Sequence, residues 1–141
     1  MLNVPDTKVM RLYVDDEPFT MAAAHISEYR RELDMRSGIL IRELVWDTPS
    51  GKQVRISSRR LISLEHRHLA ALSYEVTVLN ADAQIVISSE IVESTDEAED
   101  DDDPRKAKGF RGRVLLPVTR SADQCRIVQC LKTSHSGLVL S

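Results

Sequence analysis

His66 and His68 are the side chains in this sequence with the most direct route to chemistry. They stand two residues apart with Arg67 between them, and Arg59 and Arg60 lie just upstream. Two imidazoles at i and i+2 share one face of an extended strand and could together hold a divalent cation. A metal site needs at least a third ligand. Glu65 falls on the opposite face of such a strand, His25 and His135 are remote in sequence, and the Arg67 guanidinium repels a cation. The spacing therefore predicts histidines that support structure or contact a sugar, and no metal site.

Other reactive centres are not spelled out. Ser134-His135-Ser136 lacks the Gly-x-Ser-x-Gly turn that presents a serine nucleophile. The five glycines are scattered, so no loop can cradle a phosphate with successive backbone N–H groups. Glycoside cleavage by paired carboxylates needs two acids held across a cleft, and most acids here fall in turns or in one acidic run. The six aromatic residues, Trp46, Tyr13, Tyr29, Tyr74, Phe19 and Phe110, read mostly as core, which argues against a nucleic-acid partner.

The elements that must position these residues read as strands. Ala70, Leu72, Tyr74, Val76 and Val78 alternate with Ser73, Glu75 and Thr77, the signature of a half-buried strand. Asn80-Ala81-Asp82-Ala83 supplies a polar turn, and Ile85, Ile87, Ser89 and Ile91 resume the period of two. The two runs predict a β-hairpin with a four-residue loop, with Arg59, Arg60, Arg67, His66 and His68 as a basic patch at its start. Upstream, residues 1–8 read as a loose lead-in and residues 9–14 as a short strand closed by Asp15-Asp16-Glu17-Pro18. Residues 39–46 are apolar on both faces apart from Arg42 and Glu43, as in a central strand. A Thr48-Pro49-Ser50-Gly51 loop leads to the alternating residues 53–60. Residues 110–119, 125–133 and 138–140 predict further strands, with a turn at Ser121-Ala122-Asp123. Residues 21–36 are ambiguous: Met21-Ala22-Ala23-Ala24 favours helix, and Ile26, Tyr29 and Leu33 recur at helical spacing, yet Tyr29, Arg31, Leu33 and Met35 also alternate. Local propensity favours the helix.

The chain of 141 residues suits a single domain spanning 1–141. Its apolar fraction of 42% with only 4% aromatic residues calls for a core of Val, Ile and Leu. Short strands separated by turns argue an all-β, antiparallel β-sandwich. Nine of the 22 acids fall in residues 90–103, leaving thirteen acids against nineteen bases elsewhere, fourteen of those bases being Arg. Arginine suits carboxylates, phosphates and sugar hydroxyls because its planar fork donates several hydrogen bonds at once. Residues 93–109 are polar throughout and predict a mobile loop. Asp100 to Asp103 are contiguous and lack the alternation of a calcium loop. Cys125 and Cys130 are offset by an odd number of positions and would face opposite ways on a strand, which predicts free thiols and a reducing compartment. No apolar run approaches a membrane span, so the expected location is the cytoplasm, with no membrane partner. The chain stops inside an apolar run, which suggests a fragment with open sheet edges, through which a homodimer could form.

Two blocks carry a resemblance. Tyr29-Arg30-Arg31-Glu32-Leu33-Asp34-Met35-Arg36-Ser37-Gly38-Ile39-Leu40, followed by Trp46 and Gly51, is one; Ser63-Leu64-Glu65-His66-Arg67-His68-Leu69-Ala70-Ala71 is the other. Leu2-Asn3-Val4-Pro5, Val14-Asp15-Asp16-Glu17-Pro18-Phe19 and Lys132-Thr133-Ser134-His135-Ser136-Gly137 extend the likeness over nearly the whole chain. Together they resemble the N-terminal domain of glycoside hydrolase family 65, which contains inverting phosphorylases of maltose, trehalose, kojibiose and nigerose and related hydrolases. The resemblance implies a partial galactose-mutarotase-like super-sandwich, and strand over helix near residues 29–35. It also implies that the general acid and the phosphate-binding residues belong to a following (α/α)6-barrel, so no catalytic residue and no cofactor is expected here. Inorganic phosphate would be a substrate of the parent enzyme if that enzyme is a phosphorylase. Arg60, His66, Arg67 and His68 then stand as signature residues, structural or close to the sugar. The implied role is a non-catalytic segment that packs on the barrel, shapes the site for a disaccharide or supports dimerisation. The alternative is a free-standing carbohydrate-binding module, which would need an exposed aromatic platform.

Overall fold

A computed structural model describes residues 4–66, 68–92 and 114–141. Among the described residues there is no helix, and ten strands run in order: β1 Asp6–Val14, β2 Glu17–Pro18, β3 His25–Asp34, β4 Ile39–Asp47, β5 Gln53–Ile62, β6 Ala70–Val78, β7 Ile85–Val92, β8 Leu115–Ala122, β9 Ile127–Thr133 and β10 Val139–Leu140. The chain divides into two compact units, residues 10–89 and residues 1–9 with 90–141. The antiparallel all-β class expected from the strand pattern is the class observed.

Within residues 10–89, β3, β4, β5 and β6 form a four-stranded antiparallel meander in that order. Its register sets Tyr29 opposite Leu44, Leu44 opposite Ile56 and Ile56 opposite Val76. Residues directly opposite share a face, so this row and the neighbouring Ile26–Trp46–Val54 row make one apolar face. A second sheet has the order β2-β1-β7. Leu12 and Val14 of β1 pack with Leu44, Trp46, Val54 and Ile56 into one buried cluster, which makes the two sheets a sandwich. Phe19 lies against Trp46 at 5.2 Å between ring centroids, tilted by 54°. Each such aliphatic side chain contributes about 1.5–3 kcal/mol by leaving water. This cluster stands in for the aromatic residues the composition lacks.

The helix favoured locally at residues 21–36 does not form. Residues 25–34 are β3, paired to β4 from His25↔Asp47 to Asp34↔Ile39 with a bulge between Ile26 and Glu28. Ladder hydrogen bonds and burial of one face outweigh a propensity difference of a few tenths of a kcal/mol per residue. The family resemblance anticipated this outcome.

The expected β6–β7 hairpin does not form either. β6 closes the meander beside β5, while β7 pairs with β1 in the other sheet. The Asn80–Ala83 turn is therefore a crossing between sheets. The Asn80 side chain accepts from the Gln53 backbone N–H at 2.8 Å and donates to the Gly51 carbonyl at 3.1 Å. Four residues later Gln84 donates its N–H to Asp15 Oδ1 at 2.9 Å and accepts from the Asp15 N–H. Asp15 and Asp16 both have positive φ, 50° and 60°, between Val14 and its partner Glu17. A two-residue hairpin of the type I′ kind needs that geometry.

In the unit of residues 1–9 and 90–141, β8, β9 and β10 form a sheet in the order β10-β9-β8. Pro117 lies on the edge strand β8 beside a register shift, a position where a missing N–H costs no ladder bond. Leu131 and Thr133 are buried, and the Leu138 N–H donates to Thr133 Oγ1 at 2.9 Å. Smaller corrections follow from these bounds. β1 begins at Asp6, inside the expected lead-in, and Ser121 and Ala122 end β8 instead of forming a turn, which lies at residues 123–126. Phe110, Arg67 and the loop 93–109 with its acidic run lie outside the described residues. No helix among the described residues is long and apolar enough to cross a membrane.

Candidate functional site

The basic patch read from sequence is divided by the fold. Arg59 and Arg60 are consecutive on β5 and so point to opposite faces. Arg59 is opposite Ile41 and Ser73, whereas Arg60 is opposite Leu40 and Leu72 on the apolar face. His66 and His68 do not share a strand face, because residues 63–69 form the loop between β5 and β6. The His66 N–H donates to Ser63 Oγ at 2.9 Å, and its carbonyl accepts from the Leu69 N–H at 2.9 Å. Both histidines are exposed, and Arg67 is outside the described residues. No group of three His, Cys, Asp or Glu able to hold a metal occurs among the described residues.

What the fold assembles instead is a row across the meander. Arg31 is directly opposite Arg42, Arg42 opposite Ser58, and Ser58 opposite Tyr74. The next row holds Leu33, Leu40, Arg60 and Leu72. These rows continue the apolar face beyond the buried cluster. Tyr74 still packs against that cluster. Burial pushes its phenol pKa up, and the charges of Arg42 and Arg60 act against that shift. Among the described residues, no carboxylate forms an ion pair with Arg31, Arg42 or Arg60. Ser58 is buried at 2%, but Tyr29 and Leu33 on the same face are about half exposed.

The opposite face of the meander is charged in both signs. A shallow hollow of about 470 Å³ opens there between Glu28, Arg30, Glu43 and Arg55. Arg30 is bridged to Glu32 and, at 3.7 Å, to Glu43. The Glu32 hydrogen bond raises the Arg30 pKa. Such solvated pairs contribute little to stability.

One end of the meander is conspicuously apolar. The β3–β4 turn and the β5–β6 loop project from the same end, since Ile39 is opposite Leu61. Met35 is 82% exposed there, Leu64 97% and Ile62 71%, with Leu33 and Leu69 also exposed. Large apolar side chains grouped in this way mark interaction surfaces. Trp46, at 2% exposure, lies in the core and cannot serve as a sugar-stacking platform.

The described residues thus define an all-β scaffold with an open sheet face and no assembled set of reactive groups. The whole chain, residues 1–141, matches the model of the glycosyl hydrolase family 65 N-terminal domain, and it belongs to that family. It is 35% identical over 97% of its length to an alpha,alpha-trehalose phosphorylase of Thermoanaerobacter brockii. It is 39% identical over its full length to an uncharacterized glycosyl hydrolase of Mycobacterium tuberculosis. With a kojibiose phosphorylase of Escherichia coli it shares 37% identity over 64% of the chain. The chain spans 18% of the length of the first two relatives and 12% of the third.

Arg31 and Arg42 were not among the expected site residues. The available signal was Arg42 itself, a lone cation inside the apolar run of residues 39–46. Its cross-strand partner could be found only from the register.

Proposed function

We propose that this chain is the non-catalytic β-sandwich segment of an enzyme that cleaves an α-linked disaccharide by phosphorolysis or hydrolysis, with inorganic phosphate as co-substrate in the first case. Its role is to pack on the catalytic barrel and help shape the sugar site. The observation that carries this reading is the apolar end of the meander, where Met35, Ile62 and Leu64 stand almost bare beside the signature loop. The names of the relatives, trehalose and kojibiose phosphorylase, support the substrate class.

The test uses the full-length polypeptide. Replacing Leu64 or Ile62 with Asp should loosen the association of residues 1–141 with the remainder, seen as faster release in limited proteolysis, and should raise KM for the disaccharide. Unchanged proteolysis and kinetics in both variants would overturn the packing role. Assays with trehalose, kojibiose and maltose, with and without phosphate, identify the reaction.

A further inference from the structure

The two faces of the meander differ in how they carry charge. The outer face interleaves Glu28, Glu32, Glu43 and Glu75 with Arg30, Arg55 and Arg59, the pattern of a solvated sheet. The inner face carries Arg31, Arg42 and Arg60 and no carboxylate, set among Tyr29, Leu33, Leu40 and Leu72. Like charges directly opposite on a sheet repel, and Arg31 and Arg42 are directly opposite. A guanidinium brought under an apolar cover also needs an acceptor, since an uncompensated buried charge is strongly destabilising.

We infer that the uncovered half of this face receives an apolar surface bearing carboxylates, located on the remainder of the same enzyme. Arg31, Arg42 and Arg60 anchor it through forked hydrogen bonds. The inference rests on the packing role proposed above and adds the chemistry of the partner. Charge complementarity argues it: three cations that no carboxylate pairs among the described residues lie on a face continuous with the core. The apolar neighbours exclude water while the arginines fix register and orientation, the part that charged groups play in interfaces.

The experiment is zero-length carbodiimide coupling in the full-length protein carrying R42K and R60K. Lysine keeps the charge and offers an amine that forms an amide with a touching carboxylate. Circular dichroism and melting confirm that the variant is folded. The expected result is at least one amide from position 42 or 60 to an Asp or Glu outside residues 1–141, absent from the unsubstituted protein. Coupling only to acids within residues 1–141, including the acidic run 90–103, or coupling between two copies, would overturn it, as would no coupling. Those failures leave the packing role standing if the Leu64 and Ile62 variants still release the segment. If those variants change nothing, the packing role fails with it.

Discussion

Lys52 holds Asp15 across three turns. Its ammonium forms an ion pair with the Asp15 carboxylate and also donates to the Asp82 carbonyl oxygen at 3.0 Å. The same carboxylate accepts from the Gln84 N–H. The β1–β2 turn, the β4–β5 loop and the crossing between sheets therefore meet on one side chain. Asp15→Asn removes the charge and should lower the melting temperature, and Lys52→Met should do the same. The double variant should lose less than the two single losses added together, because both remove one interaction. Additive losses would show that the clasp contributes nothing.

Acid should unfold the protein partly through three carboxyls. Lys52 lowers the pKa of Asp15, the Ser37 hydroxyl lowers that of Asp34, and the Gln53 amide lowers that of Asp47, each below the ordinary value of 3.8. A lowered folded-state pKa means that the folded protein binds fewer protons than the unfolded chain. The stabilisation is then complete above about pH 4–5 and is lost as pH falls through the lowered values. Denaturant melts of the wild type and of a triple Asn variant should converge as the pH falls below 3.8. Curves that stay parallel throughout acid titration would sink the assignment.

Truncating the sandwich core should be costly. Leu44→Ala and Ile56→Ala should each destabilise by about 2–5 kcal/mol, and Trp46→Ala by about 3–5 kcal/mol. The Trp46 emission should be blue-shifted and unmoved by maltose or trehalose. A sugar-dependent shift would reopen a role for this residue in binding.

Backbone conformation predicts two opposite effects. Gly51 has φ of +83° with no atom within 4 Å of where a Cβ would sit. Gly51→Ala should therefore cost about 1–2 kcal/mol from backbone strain alone. Asp16, at φ of 60°, makes no contact that glycine would lose comparable to those of Asp15. Asp16→Gly should stabilise by up to about 1 kcal/mol. Chemical denaturation of both variants decides the signs.

Leu64 distinguishes a free surface from a covered one. At 97% exposure, Leu64→Asp should change the stability of residues 1–141 alone by no more than about 0.5 kcal/mol. In the full-length protein the same change should be clearly destabilising. Equal effects in both contexts would mean that nothing covers the loop.

Most strands were legible because one-sided burial writes a period of two into the sequence, as at Val54, Ile56 and Ser58 or at Leu72, Tyr74 and Val76. Tyr29 to Leu33 misled because alternating and helical spacings coincide over so few residues, and only pairing with β4 decides between them. The Asn80–Ala83 turn misled for another reason. Loop length does not say whether a strand returns to its own sheet, and here Asn80 is tied to β5 while Gln84 is tied to Asp15. The row that starts at Arg31 and Arg42 was visible only one residue at a time, as was Arg60 in the row beside it. Its existence as a row depended on a register that sequence spacing does not encode.

The sheet order also sets a timetable. The β3–β6 meander needs only neighbours in sequence and can form while the chain is still emerging from the ribosome. β1 precedes that meander in the chain, but its place beside β7 is secured by Asp15 and Gln84, which are 69 residues apart. β1 can thus pair early only with the short β2, and its pairing with β7 waits until all four strands of the meander have been made.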